Sequence, residues 1–216
     1  MKFIILLGAP GSGKGTQASI IEKSLNFRKI STGEMLRNEV ALKSVIGVEL
    51  EQIINSGKLV PDEIVIKIIK KEIESFIQKT NGFILDGFPR TVNQAKALDE
   101  MLDKISMSVS KVIYLDIDEN KLLDRISKRF VCKKCGENYN KIYKNTAIEG
   151  VCDVCGGTEF LSRADDNAET LLNRLNAYKE QTAPLLPYYQ EQGKMARIDA
   201  DQKIKEVTDG INRILV

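Results

Sequence analysis

Residues 8–16 read Gly-Ala-Pro-Gly-Ser-Gly-Lys-Gly-Thr and follow directly on the apolar run Phe3-Ile4-Ile5-Leu6-Leu7. No other stretch of the chain restricts its fold so tightly. A buried strand has to stop where the glycines begin, and helix-compatible sequence resumes at Lys14. Glycines let successive backbone N–H groups turn inward around an anion, and the following helix aims its positive end at the same point. Lys14 can then reach the β/γ-phosphates of a nucleotide. One position departs from the usual pattern: Gly15 stands where Ser or Thr would hold Mg²⁺, and the hydroxyl comes one residue later at Thr16. Mg²⁺ is therefore expected to be held mostly by water and phosphate.

The rest of the chain supports a sheet for this loop to crown. Further strands are expected near Arg28–Ile30, Phe83–Asp86, Lys111–Ile117 and Met195–Ile198. Between them, residues 62–79 place Ile64, Val65, Ile68, Ile69, Ile73, Phe76 and Ile77 close to helical spacing. Residues 119–128, 168–190 and 201–215 also read as helices. Such alternation predicts a parallel sheet wrapped by helices, with ligands at the carboxyl ends of its strands. The phosphate loop and Asp86 would then share one crevice. Two stretches break the alternation. Residues 31–60 read as two short helices, Gly33–Lys43 and Gly47–Asn55, and residues 128–162 are rich in Cys, Gly, Tyr and Asn. Both are expected to be insertions that close over the phosphate site and exclude water.

Composition narrows the chemistry. The 216 residues carry a formal charge of +2, with no histidine and no tryptophan. That charge gives no global field for nucleic acid or membrane. Without histidine, catalysis must rest on Lys, Arg, carboxylates and backbone dipoles. The N-terminal apolar run is too short for a signal peptide, and no run approaches the ~20 residues of a membrane span. A cytosolic protein is expected.

All four cysteines fall in the second insertion, as Cys132-Lys-Lys-Cys135 and Cys152-Asp-Val-Cys155. Each pair is followed by glycine, which suits the tight turns that bring two thiolates onto one ion. The spacing is that of a closed structural Cys₄ zinc site. Disulfides are rare in the cytosol, and a redox role suits one such pair better than two. Lys133, Lys134, Lys141 and Lys144 hint at a nucleic-acid ribbon, but Glu137, Glu149, Asp153 and Glu159 dilute that charge and few aromatics are available for stacking. The ion is expected to staple a flap with too little apolar core to fold alone.

Asp86-Gly87-Phe88-Pro89-Arg90 closes a strand, placing Asp86 to orient the water shell of Mg²⁺. Arg37 follows Ser31-Thr32-Gly33, a helix-opening sequence. Arg125 and Arg129, four apart, are expected on one face of the helix entering the cysteine flap. Arg163 leaves that flap ahead of Asp165-Asp166, and Arg174 lies on the next helix. Any one of these arginines could be a solvated surface residue. Together, at the edges of both insertions, they suit a site where two nucleotides bring four or five phosphates face to face.

These residues, with Glu34-Met35-Leu36, Gly57-Lys58-Leu59-Val60-Pro61-Asp62, Thr91 and Thr182-Ala183-Pro184-Leu185, give a chain that resembles the adenylate kinases, in their long bacterial form with a zinc-bearing lid, essentially end to end. The resemblance implies a P-loop kinase-type α/β fold with a five-stranded parallel sheet. Residues 1–30, 61–127 and 167–216 would form the core, 31–60 an AMP-binding insertion and 128–166 the lid. It implies reversible, Mg²⁺-dependent transfer between ATP and AMP giving two ADP, by a monomer. Gly11, Ser12, Gly13, Lys14, Gly15 and Thr16 would wrap the ATP phosphates, with Arg129, Asn138 and Tyr139 covering ATP and Gln202 meeting its adenine. Thr32, Arg37, Lys58, Leu59, Val60, Gly87, Phe88, Pro89, Arg90 and Gln94 would hold AMP. Arg163 and Arg174 would clasp phosphates as the lid shuts, and Lys14, Arg90, Arg125, Arg129, Arg163 and Arg174 would balance charge on the moving phosphoryl group. Phe130 departs from the second arginine common at that position. Alternatives are a kinase for UMP, CMP or GMP, an ATP-bound switch whose ribbon docks a partner, and an inactive protein that keeps the fold.

Overall fold

In the computed structural model, which describes residues 1–163 and 165–215, the apolar N-terminal run is the central strand of a parallel sheet. Ala164 of the Arg163–Asp166 motif and Val216, the last residue of the expected core, lie outside the described residues. The described residues form strands β1 (Lys2–Leu7), β2 (Arg28–Ser31), β3 (Gly82–Asp86), β4 (Lys111–Asp116), β5 (Arg129–Cys132), β6 (Asn138–Asn140), β7 (Phe160–Leu161) and β8 (Met195–Asp199). The main sheet runs β2-β3-β1-β4-β8, with every neighbouring pair parallel. All four expected strands are present within a residue or so of their predicted limits.

Helices α1 (Lys14–Leu25), α2 (Thr32–Ala41), α3 (Val45–Asn55), α4 (Asp62–Phe76), α5 (Val92–Asp103), α6 (Leu122–Ser127), α7 (Ala168–Ala177), α8 (Leu185–Glu191) and α9 (Ile204–Leu215) surround it. The unbroken apolar pattern of β1 has a simple cause. Phe3, Ile5 and Leu7 enter one core with Val65, Ile69 and Ile73 of α4 and Leu98 and Leu102 of α5. Ile4 and Leu6 enter the other, with Ala18 and Ile21 of α1 and Val207 and Ile211 of α9. A strand covered on both faces has no polar side to show. Each such side chain contributes about 1.5–3 kcal/mol on full burial.

Four expectations need correction. The run 168–190 is not one helix. Pro184 has no N–H to donate and would crowd the preceding turn, so Ala183 N bonds Tyr178 O at 2.8 Å and a wide π turn separates α7 from α8. The expected helix over 62–79 stops at Phe76, and the one over 201–215 starts at Ile204, because Asp201 and Lys203 are tied into a turn by Asp199 and Glu206. Arg129 is not on the helix of Arg125. That helix ends at Ser127, and Arg129 pairs with Asn140 in a second sheet. Beyond these four, α5 is a helix with no counterpart among the expected elements.

The second sheet, β6-β5-β7, is antiparallel and carries the cysteines. Among the described residues its apolar core is Cys132, Tyr139 and Cys152, with Phe130, Cys155 and Phe160 packed around them. So small a core is too little to order a unit of this length without a staple. Among the described residues no helix is long and apolar enough to cross a membrane.

Candidate active site

Parallel pairing sets the site. Leu6 of β1 lies beside Asp86 of β3, so the two adjacent strands deliver the glycine loop and the aspartate to one edge. Gly8 has φ +146°, and a Cβ there would stand 2.6 Å from Leu115 O and from Ser12 Oγ. Gly13, at φ 98°, is the left-handed residue that opens α1. Only glycine takes both positions without strain. Lys14 Nζ folds back onto the loop carbonyls, 2.6 Å from Gly8 O and 2.9 Å from Ala9 O. Burial pushes its pKa down to about 8; Asp86 opposes that shift, while Arg90, Arg174 and Arg129 reinforce it.

The loop forms the floor of a cleft of about 420 Å³. Gly11 to Thr16, Asp86, Gly87, Pro89, Arg90, Arg125, Arg129, Asn138, Tyr139, Arg163, Arg174 and Gln202 all line it. A smaller chamber of about 60 Å³ adjoins it and shares Gly87, Arg37, Arg90 and Arg174 with it. Thr32, Lys58, Leu59, Val60 and Gln94 line this second space. Phe88 lines neither; its side chain is fully buried in the core. Apart from Phe88, the expected residues line one or both of two chambers that meet at arginines, with Pro89 on the larger one.

The arginines are held apart from one another by two carboxylates. Arg129 makes a two-pronged contact with Asp166, with Nε 2.7 Å from Oδ2. Arg174 donates to Asp165 at 2.9 Å, and Arg37 stands 3.9 Å from the same carboxylate. Arg163 bonds Asn138 across the mouth of the cleft. Burial, with Arg129 and Arg37 adding to it, pushes Arg163 down to about 9; burial likewise brings Arg174 down to about 10. Both stay charged at neutral pH. Burial works against ionisation of Asp165, yet Arg174, Arg37, Arg129 and Arg163 together hold it below the usual carboxylate range. Ser12 Oγ and Arg125 Nε are buried with no hydrogen-bond partner among the described residues. Unsatisfied donors in such a wall suit an anion. The roles of Asp165 and Asp166 were not read from sequence; two adjacent acids two residues after Arg163 were the available signal.

The four thiols converge. Cys132 and Cys155 sulfurs are 3.6 Å apart, as are those of Cys135 and Cys152, and all four lie within 4.8 Å of one another. Tetrahedral Zn–S bonds of 2.3 Å require sulfurs about 3.8 Å apart, so the set fits. The two Cys-x-x-Cys turns are built alike: Gly136 N bonds Cys132 O and Gly156 N bonds Cys152 O, each at 2.9 Å. Tyr139 faces inward here. Its hydroxyl accepts from Asp153 N at 2.8 Å, which leaves its hydrogen for Cys152 Sγ at 3.3 Å.

A glycine loop on a parallel sheet, two joined chambers and converging arginines define a P-loop nucleotide-binding protein of the phosphotransferase class. A family model described as Adenylate kinase matches residues 6–194. The adenylate kinase of Erythrobacter litoralis (strain HTCC2594) is 45% identical over 212 residues, covering 98% of this chain and 99% of the relative. That of Lactobacillus delbrueckii subsp. bulgaricus is 44% identical over 98% of this chain and 97% of the relative. That of Lactococcus lactis subsp. cremoris (strain MG1363) is 41% identical over 98% and 99%. The chain belongs to the adenylate kinase family of enzymes.

Proposed function

We propose that this enzyme moves the terminal phosphoryl group of ATP to AMP, giving two ADP, and runs the reverse reaction as well. The observation that carries the reading is the pair of chambers meeting at Arg37, Arg90 and Arg174. ATP phosphates on the loop and an AMP phosphate in the smaller chamber would face each other there. Residues 31–60 then act as the AMP-binding insertion and 128–166 as a lid over a core of 1–30, 61–127 and 167–216. The small chamber is narrower than a nucleotide, so α2 and α3 must yield to admit one.

The attacking oxygen belongs to a phosphate that is already anionic. No general base is needed, which suits a chain without histidine. The protein's work is alignment and charge stabilisation in a site closed to water. On this reading Lys14 leaves the Gly8 and Ala9 carbonyls for the β/γ-phosphates, and their charge restores its full protonation. Arg129 and Arg174 exchange Asp166 and Asp165 for phosphate oxygens as the lid shuts, with Arg163 closing the mouth. Arg90 and Arg125 complete the charge balance.

Mg²⁺ bound with ATP would supply further neutralisation of phosphate charge. Asp86 is the residue that would hold its water shell. Its Oδ2 lies 3.4 Å from where a Cβ on Gly15 would stand, so Gly15 keeps that space open. Hard carboxylate oxygen suits this ion. Zinc held by Cys132, Cys135, Cys152 and Cys155 would have a structural part, because protein would fill all four positions. Reduced thiols in such a set suit the cytoplasm, where a monomer would balance adenine nucleotides without nucleic-acid or membrane partners. The test is a coupled assay in which ADP appears only when ATP and AMP are both present. ADP formed from ATP alone, at the same rate, would refute transfer to AMP.

A further inference from the structure

Gln94 is the one amide side chain lining the smaller chamber among the described residues. Amides usually read a ligand in either of two orientations, since oxygen and nitrogen can exchange by a half-turn. Here both ends are already committed. Arg90 N, which can only donate, bonds Gln94 Oε1 at 2.8 Å. Asp62 Oδ1, which can only accept, takes Gln94 Nε2 at 2.7 Å. The partners are themselves fixed. Thr91 Oγ1 donates to Asp62 Oδ2 at 2.8 Å, and Thr182 Oγ1 donates to Arg90 O at 2.9 Å. A half-turn of the amide would set oxygen against carboxylate and N–H against N–H.

We infer that Asp62 is a positioning residue that locks the Gln94 amide one way round and so makes this chamber select a purine monophosphate bearing an exocyclic amine. The inference rests on the proposed occupancy of this chamber by a nucleoside monophosphate. After its two commitments Gln94 keeps one N–H and one lone pair for the ligand. Adenine offers an exocyclic donor beside a ring acceptor. Hypoxanthine, nearly the same in shape, offers an exocyclic acceptor beside a ring donor. A free amide could turn to suit either base. A locked amide suits one and opposes like to like on the other, which leaves buried polar groups unpaired. Asp62 itself lines neither chamber; it acts through Gln94.

The experiment measures the affinities of AMP and IMP by calorimetry for the wild type, Asp62→Ala and Asp62→Asn, and KM for ATP alongside. Asp62→Ala is expected to reduce the AMP-over-IMP preference about tenfold, the scale of one mismatched buried hydrogen bond, with KM for ATP unchanged. Asp62→Asn should recover most of the preference, because its oxygen can still accept from Gln94 and its nitrogen can donate to Thr91. If the alanine variant fails to fold, Asp62→Ser replaces it, being suited to a helix start yet too short to reach Gln94. An unchanged preference in a folded variant overturns the lock, as does equal binding of AMP and IMP by the wild type. A wild type that binds AMP selectively but forms no ADP would instead refute phosphoryl transfer.

Discussion

Lys14→Ala is expected to lower turnover on the order of 10³-fold while leaving the melting temperature unchanged or raised. The two halves of that result share a cause. Lys14 is buried among Arg90, Arg174 and Arg129, with Asp86 as its opposing charge, and its pKa falls from 10.5 to about 8. A base whose folded pKa is lowered binds its proton less well in the folded state than in the unfolded one. Below pH 8 the charged lysine therefore works against folding, and that penalty fades as pH rises from 8 towards 10.5. Removing the side chain removes the penalty along with the phosphate contact. Enzyme assay and thermal denaturation at pH 7 check both halves. A near-normal rate would take Lys14 out of the mechanism; a large loss of stability would mean its bonds to Gly8 and Ala9 organise the loop.

Cys152→Ser should act the other way, on stability before chemistry. Cys152 is buried beside Cys135, receives a hydrogen bond from Tyr139 and anchors the second turn of the lid sheet. Its loss opens the tetrahedral set. A cost of about 3 kcal/mol would lower the melting temperature by about 10 °C in a chain of this size. Metal content should fall with it, while substantial activity survives in the cold, where the lid still closes. Elemental analysis, calorimetry and a low-temperature assay read the three effects. Activity that vanishes in a folded, stable variant would show that the metal unit does more than hold a flap together.

The parts of this molecule that depend on local rules could be read from the chain. β1, β3 and β4 bury both faces, so each appears as an apolar run, and the loop after β1 has glycines where left-handed backbone is required. The cysteine spacing likewise records two matching turns. What escaped notice depends on pairing at a distance. The lid strands are two to four residues long and are set by the turns and by Arg129 facing Asn140, with no alternation to announce them. Helix α5 is the exception: Ala95, Leu98 and Leu102 recur at helical spacing, so its pattern was there to be read. Nothing in the neighbouring residues marks what Asp62, Asp165 and Asp166 bond to. Only the fold brings Asp62 to Gln94, 32 residues away, and Asp166 to Arg129, 37 residues away.

Two mononucleotides are expected to occupy the joined chambers together, phosphates inward. Calorimetric titration with two adenosines joined by a five-phosphate chain tests it most directly. One molecule should bind each protein chain, far more tightly than ATP or AMP alone, because both chambers fill in one event. Binding no tighter than that of ATP would contradict simultaneous occupancy.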